Sequence, residues 1–147
     1  MNKHMGKKIT VELGFEEACL IERALELYSR VGIFQFDNLT LCNSLQSKLW
    51  KDDISDKFRD RADDLKSVFN YNPPSHPSIF NTQDVQDDVR IACHMYQQFR
   101  HERYKDRIAS GEQTERHHTV DEYPADICNI AGIKTPDCKI NIENLNN

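Results

Sequence analysis

The sequence lacks most of the features that place a chain quickly. It has no C-x-x-C pair, no long apolar run, and only five glycines and five prolines in 147 residues. A membrane-spanning helix needs ~20 consecutive apolar residues, so a span is excluded. No apolar stretch of signal-peptide type stands near the start, and a secretory leader is not expected. So few glycines and prolines argue against a many-turned all-β fold. Neither sign of charge dominates: 19 basic against 24 acidic residues give a net charge of −5. That balance excludes a general nucleic-acid coat and a polybasic membrane binder. The five cysteines, Cys19, Cys42, Cys93, Cys128 and Cys138, are odd in number and widely spaced, whereas a structural zinc site needs ligands in tight pairs. Cys19 and Cys93 fall inside apolar helical patterns, where a thiol acts as a small hydrophobe. The five read as reduced thiols of a cytoplasmic protein.

What is present suits a folded domain. Hydrophobic residues make up 38% and there are 13 aromatics, too many for a disordered chain. The length fits one domain with a core that needs no disulfide or metal. The expected fold is mainly α with minor β: a compact helical domain of about four helices with short N- and C-terminal strands. Residues 1–147 are expected to form a single domain, of which Met1 to Lys8 is a loose arm.

Ile9 to Leu13 alternates as a short strand ended by Gly14, and Lys139 to Ile142 is a candidate partner strand. Phe15 to Val31 carries a helical pattern, with Glu16 and Glu17 where the dipole favours anions and Gly32 as the stop. Its apolar residues cover two sides: Leu20, Leu27 and Val31 on one, Ile21, Leu25 and Tyr28 on the next. That points to burial on both sides, either in the core or partly against another subunit. Ile33 to Leu49 reads as a second helix and Ser55 to Phe69 as a third. Asn70 to Asn81, with Pro73, Pro74 and Pro77, reads as a loop. A fourth helix is expected from Thr82 as N-cap, with Asp84 in its first turn, to about Ile108. Ser110 to Thr119 is another loop.

The fourth helix carries the most suggestive polar pattern. Arg90, His94, Gln97 and His101 recur at i, i+4, i+7 and i+11, one stripe of a helix. Arg100, Arg103 and Arg107 form a second stripe beside it. From Arg90 to Arg107 five basic residues face two acidic ones. Guanidinium forks match phosphate oxygens, and Arg and Tyr faces stack on bases. The stripe therefore reads either as an anion or nucleotide site or as a solvated helix face with i,i+4 pairs. The corner Tyr28-Ser29-Arg30-Val31-Gly32-Ile33-Phe34-Gln35-Phe36 sets an Arg and an amide among aromatics. It reads as a stacking and hydrogen-bonding pocket or as an ordinary helix corner.

Other candidates are poorer. His76, His117 and His118 have no metal-ligand spacing and read as surface histidines. The pairs Asp52-Asp53, Asp63-Asp64 and Asp87-Asp88 resemble the acids of metal nucleases in type alone. Neighbours on a helix point ~100° apart, so such a pair rarely chelates one ion. Glu16, Glu17, Glu22 and Glu26 do not fit the paired-glutamate motif of helical nucleotide pyrophosphohydrolases. No H-E-x-x-H, G-x-S-x-G, P-loop or G-x-G-x-x-G occurs, so no cofactor, metal or catalytic residue is assigned.

Two segments resemble known proteins. Ala24-Leu-Glu-Leu-Tyr-Ser-Arg-Val-Gly-Ile-Phe-Gln-Phe36 is similar to the ALDLYSRIGxGQF stretch of a widespread set of small phage proteins. Arg90-Ile-Ala-Cys-His-Met-Tyr-Gln-Gln-Phe-Arg-His101 is similar to their RIAYDxYQVIRH helix. Order and spacing agree, with a Pro-containing loop between and a KIE-like ending at Lys139-Ile-Asn-Ile-Glu143. The motifs cover 25 residues. This chain departs at Phe34, where those proteins often have Gly, and at Cys93-His94 in place of Tyr-Asp. The set resembles the viral sponge proteins that sequester the cyclic nucleotide signals of the bacterial CBASS defence.

The resemblance implies a non-catalytic binder acting in the cytoplasm of an infected bacterium, with a cyclic nucleotide such as cGAMP as partner and no nucleic-acid polymer or membrane. It implies Arg30, Arg90 and Arg100 at phosphates, Tyr28, Phe36 and Tyr96 for stacking, and Gln35, Gln97 and His101 at base edges or ribose. A homo-oligomer, dimer or tetramer, with a pocket between subunits would read a symmetric ligand by symmetry. Two other classes stay open: a protein inhibitor of a host enzyme, and a small metal-dependent nucleotide hydrolase.

Overall fold

A computed structural model describes residues 8–73, 75–80, 83–112 and 126–142. The described chain is mainly helical. Helix α1 spans Phe15–Gly32, a 3-10 helix η1 follows at Phe36–Leu41, then α2 (Asn43–Asp52), α3 (Ser55–Val68), α4 (Asp87–Ser110) and the single turn α5 (Ile127–Ile130). The expected first and third helices are present with nearly the expected bounds.

The expected second helix is not one element. Ile33 to Leu49 is broken at Phe34, whose φ of 61° lies in the left-handed region, and continues as η1 and α2. That conformation costs an L-residue ~1–2 kcal/mol. In this chain ring packing holds Phe34 in place. It stacks on Phe69 at 4.9 Å and on Tyr71 at 5.1 Å, and Phe36 lies 6.1 Å away. Gly32 ends α1 for a different reason from the one its type suggested. A Cβ there would meet the Val89 methyls at 2.5 and 2.7 Å, so the glycine lets α1 close on α4.

The long helix also starts later than expected. Gln86, not Thr82, is its N-cap residue, and Asp87 and Asp88 occupy its first turn; Thr82 lies outside the described residues and Asp84 is in the turn before the helix. Gly111 closes it in the left-handed conformation at φ 76°; its N–H donates to the Ile108 carbonyl at 3.2 Å and the Glu112 N–H to that of Arg107 at 3.0 Å. Neither expected strand is formed among the described residues: 9–13 and 139–142 have no ladder. They still meet, since Val11, Leu13, Ile140 and Ile142 line one groove with Phe15 and Phe99. Lys8 of the expected arm is exposed, and the rest of the arm, most of the 110–119 loop with His117 and His118, and Glu143 lie outside the described residues.

Helix α4 runs through the centre. Val89, Ala92, Cys93 and Tyr96 are buried, with Ile33, Val85, Leu25, Ile79 and Ile127 packed around them. Helix α1 lies along one side of α4, and the face it turns inward is mixed. Leu25 packs against Cys93, Tyr96 and Ile127, and Glu22 and Ser29 are buried beside it. Leu20, Ile21 and Tyr28 are exposed, so that part of its apolar surface is uncovered within one chain.

Candidate functional site

An inward polar face is stable only if its charges meet partners, and α4 supplies them. Glu22 Oε2 accepts from Arg103 Nη1 at 2.6 Å. One turn on, Glu26 Oε1 lies 3.4 Å from Arg30 Nη2 and 3.8 Å from Arg100 Nη1. The i,i+4 spacing of Glu22 and Glu26 and the Arg100, Arg103, Arg107 stripe thus form two complementary edges. Both arginines are about a third exposed, 30% at Arg100 and 28% at Arg103, so the pairs add little stability each and act chiefly by setting the register of α1 on α4.

The seam continues past the end of α1. Arg30 Nη1 donates to Gln35 Oε1 at 3.1 Å, and Gln35 Nε2 lies 2.7 Å from His76 Nε2. A guanidinium only donates, so it orients the Gln35 amide with its N–H toward His76. Arg100, Glu26, Arg30, Gln35 and His76 therefore form one chain of polar contacts across three separate stretches of sequence. Two clefts open along it. One of about 310 Å³ is lined by Glu22, Glu26, Arg100, Arg103 and Arg107. The other, of about 420 Å³, lies where Arg30, Gln35 and His76 face Arg59, Asp63 and Lys66 of α3. Glu26 of the first is paired with Arg30 of the second.

The nine residues expected to bind ligand divide into three groups. Arg30, Gln35 and Arg100 line these clefts, and His101 is half-buried beside Arg100. Tyr96 is buried just behind the seam. Burial, then the neighbouring Cys93, pushes its phenol up to about 12, against a lowering pull from Arg30. Gln97 is buried as well, its amide donating to Cys93 Sγ at 3.7 Å. Tyr28, Phe36 and Arg90 lie elsewhere. Tyr28 is exposed and donates to Asp88, which raises its pKa. Phe36 belongs to the Phe34, Phe69 aromatic cluster. Arg90 is 2% exposed and donates to the carbonyls of Val85 at 2.6 Å and Ile79 at 3.0 Å; it ties the 79–85 segment to α4.

The stripe of Arg90, His94, Gln97 and His101 is thus not a solvated face: its first three members are buried. His94 approaches Asp126 at 3.8 Å, at the start of α5. The second stripe is the one that borders a cleft. Sequence reasoning missed Glu22, Glu26, Arg59 and Lys66. The first two carried a readable signal in their spacing opposite the arginines. Lys66 carried none, because only the packing of α3 buries it. Among the described residues no group of three or more His, Cys, Asp and Glu side chains is placed to hold a metal ion, and no helix is long and apolar enough to cross a membrane. No family model, curated protein or solved structure matches the chain.

Proposed function

We propose that this protein binds cyclic oligonucleotide signals, cyclic dinucleotides among them, and sequesters them without cleavage, as a phage anti-defence protein acting on CBASS in the host cytoplasm. One observation carries the reading. The two segments that resemble the phage proteins, 24–36 and 90–101, are more than fifty residues apart in sequence, yet they meet along the seam where Arg30, Gln35 and Arg100 converge. A cyclic dinucleotide brings two phosphodiesters and two bases. Guanidinium groups supply charge-assisted donors for the first, and Gln35 and His101 supply edge contacts for the second.

The uncovered apolar side of α1 supports a homo-oligomer. Leu20, Ile21 and Tyr28 are exposed within an arc of about 100°, a surface that a second copy would cover. The same exposed residues are what favours the other reading, an inhibitor that docks on a host enzyme.

Calorimetric titration with a panel of cyclic di- and trinucleotides separates the two. Sequestration predicts submicromolar binding of at least one of them, weakened by Arg30→Ala and by Arg100→Ala. No heat with any of the panel at tens of micromolar protein rejects it.

A further inference from the structure

The cleft between the end of α1 and helix α3 contains a cation that makes no hydrogen bond among the described residues. Lys66 stands in the last turn of α3, and its side chain is only 7% exposed. Lysine is almost never this buried unless it is paired. Its nearest carboxylate is Asp63 Oδ1 at 3.9 Å, beyond hydrogen-bond distance, on a side chain itself 44% exposed. An ammonium has three donors and no acceptor, and a buried group with unmet donors is costly. Among the described residues the Lys66 ammonium makes no hydrogen bond. It lines the cleft of about 420 Å³ together with Arg30 and Arg59.

We infer that this cleft seats a phosphodiester, with Lys66 as its central ligand-binding residue and Arg30 and Arg59 beside it. The inference rests on the ligand class proposed above and adds the residues that hold its phosphodiester. Arg59, Asp63 and Lys66 follow at i, i+4 and i+7 and so share one face of α3. Three cations, Arg30, Arg59 and Lys66, line the cleft with two carboxylates, Asp37 and Asp63. Glu26 lies 3.4 Å from Arg30 and Asp56 3.6 Å from Arg59, which leaves Lys66 with the most distant carboxylate of the three, at 3.9 Å. An aromatic surface lies at the same corner. Gln35 of the cleft sits between Phe34 and Phe36, and the Lys66 carbonyl accepts from the backbone N–H of Phe69 at 3.0 Å and Tyr71 at 3.4 Å.

Lys66→Met is the informative variant, because it keeps the stem's packing and removes the charge. Asp63 is 44% exposed and stays solvated when its distant partner is removed, so the melting temperature should change little and lost binding would not reflect lost folding. The test has two arms on the full-length protein. In the first, a cyclic dinucleotide is titrated against both proteins. The expected result is that Lys66→Met binds the cyclic form about ten- to a hundredfold more weakly than wild type, the effect of losing hydrogen bonds to a charged group. Equal affinity of the two proteins overturns the inference and leaves the proposed function standing. In the second arm, dimethyl phosphate at millimolar concentration is followed by the amide NMR signals of Phe69 and Tyr71. Shifts in wild type that vanish in Lys66→Met support the phosphodiester seat even if no cyclic nucleotide binds, an outcome that would reject the proposed function alone. No shift in wild type overturns the seat.

Discussion

Replacing Gly32 by alanine tests how closely α1 and α4 must pack. The added methyl would lie 2.5 and 2.7 Å from the two Val89 methyls and 3.2 Å from its Cβ, where carbon atoms rest ~3.5–4.0 Å apart. Val89 cannot swing away easily. It is β-branched, with one strongly preferred rotamer in a helix, and it is buried with Ile33 and Val85. The helices must therefore separate. Overpacking of this kind costs ~1–3 kcal/mol, and the better helix propensity of alanine returns at most ~1 kcal/mol. The net loss is ~1–2 kcal/mol, or about 2–8 °C in melting temperature for a chain of this length. Scanning calorimetry on Gly32→Ala, Val89→Ala and the double variant checks both size and cause. The double variant should lose less than the sum of the singles, because each relieves the other's misfit. A Gly32→Ala protein that melts at or above wild type would refute the close-approach argument, and strict additivity would move its cause away from Val89.

Three further outcomes follow from named contacts. Arg100→Ala should weaken binding of the best cyclic dinucleotide by ~1.5–3 kcal/mol, the range for hydrogen bonds to charged groups; its 3.8 Å pair with Glu26 is 30% exposed on the arginine side, so thermal stability should change by less than ~1 kcal/mol, as a melt beside the titration would show. At Phe34 the order of stability should be Phe above Gly above Ala: both variants lose the ring stacking, and alanine alone keeps the strain of φ 61°, a difference of ~1 kcal/mol readable by urea denaturation. Tyr96 should titrate near 12 in the folded protein against an ordinary 10.0. Because the folded state holds that proton more tightly, the stability it contributes is complete below pH 10 and is lost as pH rises through 12; ultraviolet titration of wild type against Tyr96→Phe isolates the step.

The helices that were legible in the sequence each carried one strong periodic face. Phe58, Ala62, Leu65 and Phe69 marked α3, and the apolar face from Val89 to Phe99 marked α4. The break at Phe34 was not readable, because a phenylalanine gives no warning of a left-handed backbone; the aromatic partners that hold it, Phe69 and Tyr71, come from thirty-five or more residues away. The inside of α1 was misread for a related reason. Of its leucines Leu25 packs inward, but Leu20 does not, and Glu22 and Glu26 are turned to α4, where Arg100 and Arg103 meet them. Complementary charge across a long sequence gap outweighed local apolar patterning. The short strands had suitable alternation, yet a strand needs a partner in register, and 9–13 and 139–142 border a common groove without pairing. Of the candidate site, Arg30, Arg100 and Gln35 were legible because their chemistry is explicit in side-chain type, whereas Arg59 had no pattern around it. Lys66 was not legible, since what distinguishes it is its burial.

Sequestration without turnover is tested most directly by recovery of the ligand. The protein is incubated with a cyclic dinucleotide for hours, freed of unbound ligand by gel filtration, then heat-denatured, and the released nucleotide is identified by chromatography and mass. A sponge returns the intact cyclic dinucleotide in fixed proportion to protein. Recovery of a linear product would show a hydrolase, and recovery of no nucleotide would contradict ligand binding at the α1–α4 seam.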